Sequence, residues 1–113
     1  NIVPNTRFQW YDMRNLSKDI AIARKAKLGV VNLMPQPLDT SRILQTCFPD
    51  AVVGAQKPSP LYYDVCTQHG ALFGGNSDYI ATADQSLAGI QQFVSDVRAK
   101  RILLHAPNAG QAA

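Results

Sequence analysis

The sequence predicts an α/β or α+β fold: a single mixed β-sheet of about five strands with three helices packed on it. The first observation behind this is a layout that occurs twice, a helix-like segment ending in a basic cluster, then an apolar run, then a proline. It runs from Ile20 to Pro35, with Arg24, Lys25 and Lys27 ahead of Leu28, Val30, Val31 and Leu33. It runs again from Phe93 to Pro107, with Arg98, Lys100 and Arg101 ahead of Ile102, Leu103 and Leu104. Cations suit a helix C-terminus, whose last carbonyls carry partial negative charge, and a short apolar run suits a strand buried on both faces. The second observation is a middle region, residues 51–82, in which extended-type residues alternate with turn signals, as hairpins require. The third is bulk composition. The chain has 113 residues, 46% hydrophobic and 17% charged, which suits one soluble globular domain able to bury roughly two-thirds of its unfolded surface without disulfides or metal.

Taken in order, residues 2 to 11 read as a first or edge strand, with Phe8 and Trp10 on one face. Asn15 or Ser17 caps a helix in which Leu16, Ile20 and Ala23 recur at helical spacing and Asp19 sits near the positive end. Leu28 to Leu33 reads as a buried strand stopped by Pro35 and Pro37, which cannot donate to a ladder. Asp39 or Thr40 caps a short helix carrying Ile43, Leu44 and Cys47 and ended by Pro49. Ala51 to Ala55, Leu61 to Cys66, Gly70 to Phe73 and Tyr79 to Thr82 are short strand candidates, with Gly74 and Gly75 supplying a turn that tolerates positive φ. Asp84 or Ser86 then caps the clearest helix, its stripe formed by Leu87, Ile90, Phe93, Val94 and Val97, and Ile102 to His105 closes the pattern as a strand. The domain is read as residues 1–106, with 107–113 as a C-terminal tail or a linker to a missing region of a larger protein.

Charge and cysteine usage narrow the chemistry. Net charge is +3, and all eight acids are Asp, the carboxylate that favours caps and turns over helix interiors. No apolar stretch approaches the roughly 20 residues of a membrane span, so membrane insertion is not expected. Two cysteines, Cys47 and Cys66, are too few for a disulfide scaffold. They point to a reducing, cytoplasmic setting, with a single Cys47–Cys66 bridge as the alternative.

Motifs for catalysis do not emerge. Cys66 and His69 form the one close Cys/His pair, but no Asp or Asn partner is marked, and a small core cysteine beside a loop histidine is the simpler reading. Together with Cys47 and His105 they could make a four-ligand set, yet only one close pair is present where structural zinc sites use two, so no metal is expected. The stretch from Gly70 to Ser77 has the glycine spacing of a phosphate loop, but Asn76 stands where the phosphate-binding lysine belongs and Asp78 follows, so it reads as a turn and no cofactor is expected.

Three surfaces remain. Asn32 and Met34, with His105 and Asn108, would lie past the carboxyl ends of two parallel strands, where open α/β sheets bind small ligands. Trp10, Tyr11, Tyr62 and Tyr63 offer an aromatic patch for a partner. Arg24, Lys25, Lys27, Arg98, Lys100 and Arg101 would share one edge of the sheet as a basic patch, for which the plain reading is dipole compensation. The sequence is therefore read as a non-catalytic protein-interaction or assembly module, contacting another protein or a flanking domain through a sheet edge or the aromatic patch. A small-molecule or nucleotide-binding domain, as part of an enzyme, is the alternative, and nucleic-acid binding through the basic helix ends a further one.

Overall fold

The chain is first fixed where residues 6–8 meet residues 38–40. In the computed structural model, which describes residues 2–100, Arg7–Phe8 (β1) and Leu38–Asp39 (β2) pair antiparallel, Arg7 opposite Asp39 and Phe8 opposite Leu38. Across this pair the Arg7 Nε donates to Asp39 Oδ1 at 2.7 Å. One residue further out, the Thr40 N–H donates to the Thr6 carbonyl at 2.9 Å, and the two threonine hydroxyls, both buried, meet at 2.6 Å. Thr6 Oγ1 also lies 3.0 Å from the Val3 carbonyl, which can only accept. The single Thr6 hydroxyl proton therefore goes to Val3, and Thr40 donates to Thr6.

β2 is short for a local reason. Pro37 precedes it and has no N–H for a ladder, and Thr40–Cys47 (α2) begins immediately after it. Asp39 holds the N-cap position of α2 in extended conformation, but its carboxylate is turned to Arg7 and caps nothing. The core gathers at this junction. Leu38 is 1% exposed, and Ile43 and Cys47, four residues apart on one face of α2, complete the buried apolar set among the described residues.

Residues 61–65 run alongside β1 on its other side. Arg7 bridges Tyr62 in parallel, its N–H donating to the Leu61 carbonyl at 3.0 Å and its carbonyl accepting from the Tyr63 N–H at 2.9 Å. Two residues on, the Gln9 side chain replaces the backbone. Its Nε2 donates to the Val65 carbonyl at 2.6 Å and its Oε1 accepts from the Val65 N–H at 2.8 Å.

Ala83–Arg98 (α3) starts with a reciprocal cap in which Thr82 Oγ1 accepts from the Gln85 N–H and Gln85 Oε1 from the Thr82 N–H. It packs on α2 and β2, and at its far end the Arg98 guanidinium donates to the Cys47 carbonyl at 2.8 Å and covers the Phe48 ring. Leu16–Lys25 (α1) follows a 3-10 turn at Met13–Asn15 and packs on it and on a second such turn at Gly70–Phe73. Asp19, 4% exposed, is held there by the Tyr11 hydroxyl, which donates to it at 2.5 Å. No helix of the described residues is long and apolar enough to cross a membrane.

The expected five-stranded mixed sheet does not form; the sheet among the described residues is one antiparallel pair of two-residue strands. Leu28 to Leu33 is irregular, and Val30 is 86% exposed. The reason lies in how α1 ends. Lys27 takes the left-handed conformation at φ 57°, its N–H donates to the Arg24 carbonyl, and the Leu28 N–H reaches back to the Ala23 carbonyl at 3.0 Å. This is a Schellman termination, and Leu28 is the apolar residue that follows one, not the first residue of a strand. Lys100, at φ 59°, with its N–H on the Val97 carbonyl at 3.0 Å, turns the chain in the same way after α3. The repeated layout is thus a repeated helix ending. The Ile102 to His105 strand lies outside the described residues.

Other expected strands are corrected as well. Ala51 to Ala55 is irregular, with Val52 fully solvated at 100%. Gly70 to Phe73 is the second 3-10 turn, closed by Gly74 at φ 88°, where only glycine is unstrained. Tyr79 to Thr82 is irregular too, although the Ile80 N–H donates to the Met34 carbonyl and the Gln36 N–H to the Ala81 carbonyl. Leu61 to Cys66 contributes a single bridge. The helices fall where expected, with α3 capped by Thr82 in place of Asp84 or Ser86.

With so few buried apolar residues, the stability concentrates at one side chain. Leu38→Ala should destabilise the chain by about 3 kcal/mol in urea unfolding, whereas Val52→Ala should change it by less than about 0.5 kcal/mol.

Candidate functional site

Two surfaces combine exposure with organised geometry. The first is the outer edge of segment 61–65. Because Leu61, Tyr63 and Val65 direct their backbone bonds toward β1 and Gln9, the N–H and C=O groups of Tyr62 and Asp64 face away from it, as strand alternation requires. Among the described residues nothing bonds them. Pro58 and Pro60 precede this edge and cannot extend it, so the open stretch is confined to Tyr62–Val65.

Aromatic side chains flank that edge. The Phe8 ring stacks on Tyr63 at 5.4 Å between centroids and takes Trp10 edge-on at 6.0 Å. On the alternate position Tyr62 lies under the Arg7 guanidinium at 4.9 Å. Trp10, Tyr62 and Tyr63 are all substantially exposed, Tyr62 at 61%. Tyr79 braces the end of the segment by donating its hydroxyl to Asp64 Oδ1 at 2.5 Å. That bond, then desolvation and the neighbouring Cys66, raises the Tyr79 phenol above its ordinary range.

The second surface is a cleft of about 450 Å³ between residues 10–15, α3 and the 73–81 loop. Its walls are mainly apolar, with Trp10, Met13, Phe73, Ile80, Ile90 and Phe93. Arg14 closes one side. Its Nε and Nη2 hold both oxygens of Asp12 at 2.9 and 2.8 Å, Nη2 also donates to the Gly89 carbonyl, and the guanidinium sits over Phe93. A Cβ at position 89 would stand 3.2 Å from Asp12 Oδ2, so glycine there lets the turn approach α3 closely. The Arg14 side-chain bonds hold the Asp12 carboxyl below its usual range. Burial, with the bond to Asp19, pushes the Tyr11 phenol above its own.

The aromatic residues singled out in the sequence come together in part: Trp10 and Tyr63 join through Phe8, Tyr62 occupies the other face, and Tyr11 turns into the cleft wall beside Asp19. Asn32 is exposed on irregular chain and Met34 is half-buried, its carbonyl accepting from Ile80; the buried strand that was to position them is absent. His105, Asn108 and Arg101 lie outside the described residues. Arg24 and Lys25 end α1, while Arg98 ends α3 and bonds Cys47 across to α2. The two basic ends belong to different packing pairs, since α1 packs on the 3-10 turns and α3 on α2 and β2. Lys27 and Lys100 serve as the left-handed residues of the two helix endings.

Cys47 is a buried thiol and Cys66 an exposed one, both free. Among the described residues no three His, Cys, Asp or Glu side chains converge as a metal site would need. Phe8, Phe73, Phe93 and Lys18 were not singled out as site residues in the sequence. Only the spacing of Phe8 and Trp10 points to a shared face, and Phe93 stands on the apolar stripe of α3. No family model matches the chain, and no curated protein or solved structure matches it.

The Asp12–Arg14 pair yields a pH signature. A carboxyl lowered in the fold contributes stability above its unfolded value of 3.8, and that contribution is lost as pH falls through the lower folded value. Asp12→Asn should cost about 0.5–1 kcal/mol at neutral pH, a figure discounted for the pair's partial exposure. The wild-type and variant melting curves should converge in strong acid, which a series of thermal melts against pH will show.

Proposed function

We propose that this chain is a non-catalytic protein-interaction module that takes an extended segment of another polypeptide along the edge at Tyr62–Val65. The observation that carries the reading is the alternation of backbone bonding: 61, 63 and 65 are spent on β1 and Gln9, and 62 and 64 offer a donor and an acceptor each to the outside. An added strand would satisfy those groups with its own backbone, and Tyr62 and Tyr63, on opposite faces, would sort its side chains by alternate position. Exposed tyrosines supply large contact area at small entropic cost.

Charge supports a polypeptide over a nucleic acid as the partner. Arg7, Arg14 and Arg42 are paired with Asp39, Asp12 and Asp84, and Arg98 is bonded to a carbonyl, so these cations are committed within the chain. The apolar character of the edge, with Leu61 and Val65 exposed beside the tyrosines, favours a partner strand carrying apolar residues at every second position.

Selection from a displayed library of unstructured peptides tests this. Binders should show apolar alternation and should lose at least about tenfold in affinity to Tyr62→Pro, which removes an outward N–H while sparing the bonds made by Leu61 and Tyr63. Tyr63→Ala should weaken them further by losing the stack on Phe8. Peptides that bind the proline variant as well as the wild type would refute the assignment.

A further inference from the structure

The cleft between residues 10–15 and α3 has a polar inventory that selects one kind of ligand. Most of its polar groups are already engaged: both Asp12 oxygens by Arg14, the Tyr11 hydroxyl by Asp19, and the Gln85 amide oxygen by the Thr82 N–H. Besides the Trp10 indole N–H, three lining side chains that carry polar groups have neither a hydrogen bond nor an ion pair among the described residues, namely Asn15, Lys18 and Ser86. Asn15 and Lys18 are three residues apart at the start of α1 and so share a helix face. Ser86 belongs to α3, across the cleft. All three can donate hydrogen bonds, and Lys18 is the one charged lining group without a direct ion pair, although it lies near enough to Asp12 to help lower that carboxyl. The remaining walls are aromatic and aliphatic, and about 450 Å³ lies within the range of small-molecule sites.

We infer that this cleft binds a small amphiphilic monocarboxylate, its apolar body against Trp10, Phe73, Ile90 and Phe93 and its carboxylate at Lys18, with Asn15 and Ser86 as further donors. A cationic ligand would meet the Lys18 ammonium and find its one potential counter-charge, Asp12, already held by Arg14. A neutral ligand would gain the apolar walls but leave the donors unanswered. This site shares Trp10 with the aromatic row beside the Tyr62–Val65 edge but uses none of that edge's backbone groups.

The chain carries its own reporter, because Trp10 is its single tryptophan and lines the cleft. Titration with decanoate, kept below its micellar concentration, should change Trp10 emission saturably. Decanol and decyltrimethylammonium should bind at least about tenfold more weakly, the difference expected for one charge-assisted hydrogen bond. Lys18→Gln, at an exposed position where folding is not at stake, should reduce decanoate affinity by about the same factor and leave decanol unchanged. Tyr62→Pro should leave decanoate binding intact, which separates this result from any failure at the edge. A response that does not saturate, or equal binding of decanoate and decanol to both wild type and Lys18→Gln, overturns the inference.

Discussion

The hydroxyl contact between Thr6 and Thr40 is the point from which the rest of the structure is positioned. It is buried, and each oxygen is tied into a chain that runs from Thr40 through Thr6 to the Val3 carbonyl. Buried hydroxyls left without partners are costly, so the N-terminal segment and the start of α2 must arrive together. Once they do, Arg7 falls opposite Asp39, Leu38 is shut from water, and β1 is presented to residues 61–65 in a fixed register. The edge and the aromatic row are therefore secondary products of a two-residue strand pair. A valine at position 40 would keep the shape and remove the proton that Thr6 accepts.

How much of this was legible in the sequence differs by element. The helices were, because apolar spacing is a local signal and the stripe from Leu87 to Val97 stands where its pattern puts it; the expected caps were not, since neither Asn15 nor Asp39 caps its helix with its side chain and Thr82 caps α3. The sheet was not. A lysine at a helix end followed by leucine satisfies two rules at once, dipole compensation and strand onset, and nothing in the residue order separates them. What decides is the backbone angle at Lys27, which turns Leu28 back onto its own helix. Glycine is the usual occupant of that position, and its absence removed the clearest warning.

The candidate sites were legible only as residue types. Trp10, Tyr62 and Tyr63 stand out in any reading, but their arrangement depends on Phe8 as the ring between two of them and on Arg7 over the third. The cleft could not be read at all, since its walls come from four separated stretches and its polar character depends on which groups are already satisfied. Arg14 illustrates this. As a letter it is a free cation, whereas in the structure its Nε and Nη2 are spent on Asp12 and Gly89 and its Nη1 faces the Asp96 carboxylate at 3.7 Å.

One feature of the edge ties its fate to slow chemical ageing. The Gln9 amide nitrogen donates to two carbonyls, those of Pro35 and Val65, while its oxygen holds the Val65 N–H. Hydrolysis of that amide to a carboxylate would exchange the donor for a second acceptor and set negative charge against both carbonyl oxygens. The outer segment would then be pushed off β1 by a loss of ammonia at one side chain, with no bond in the main chain broken.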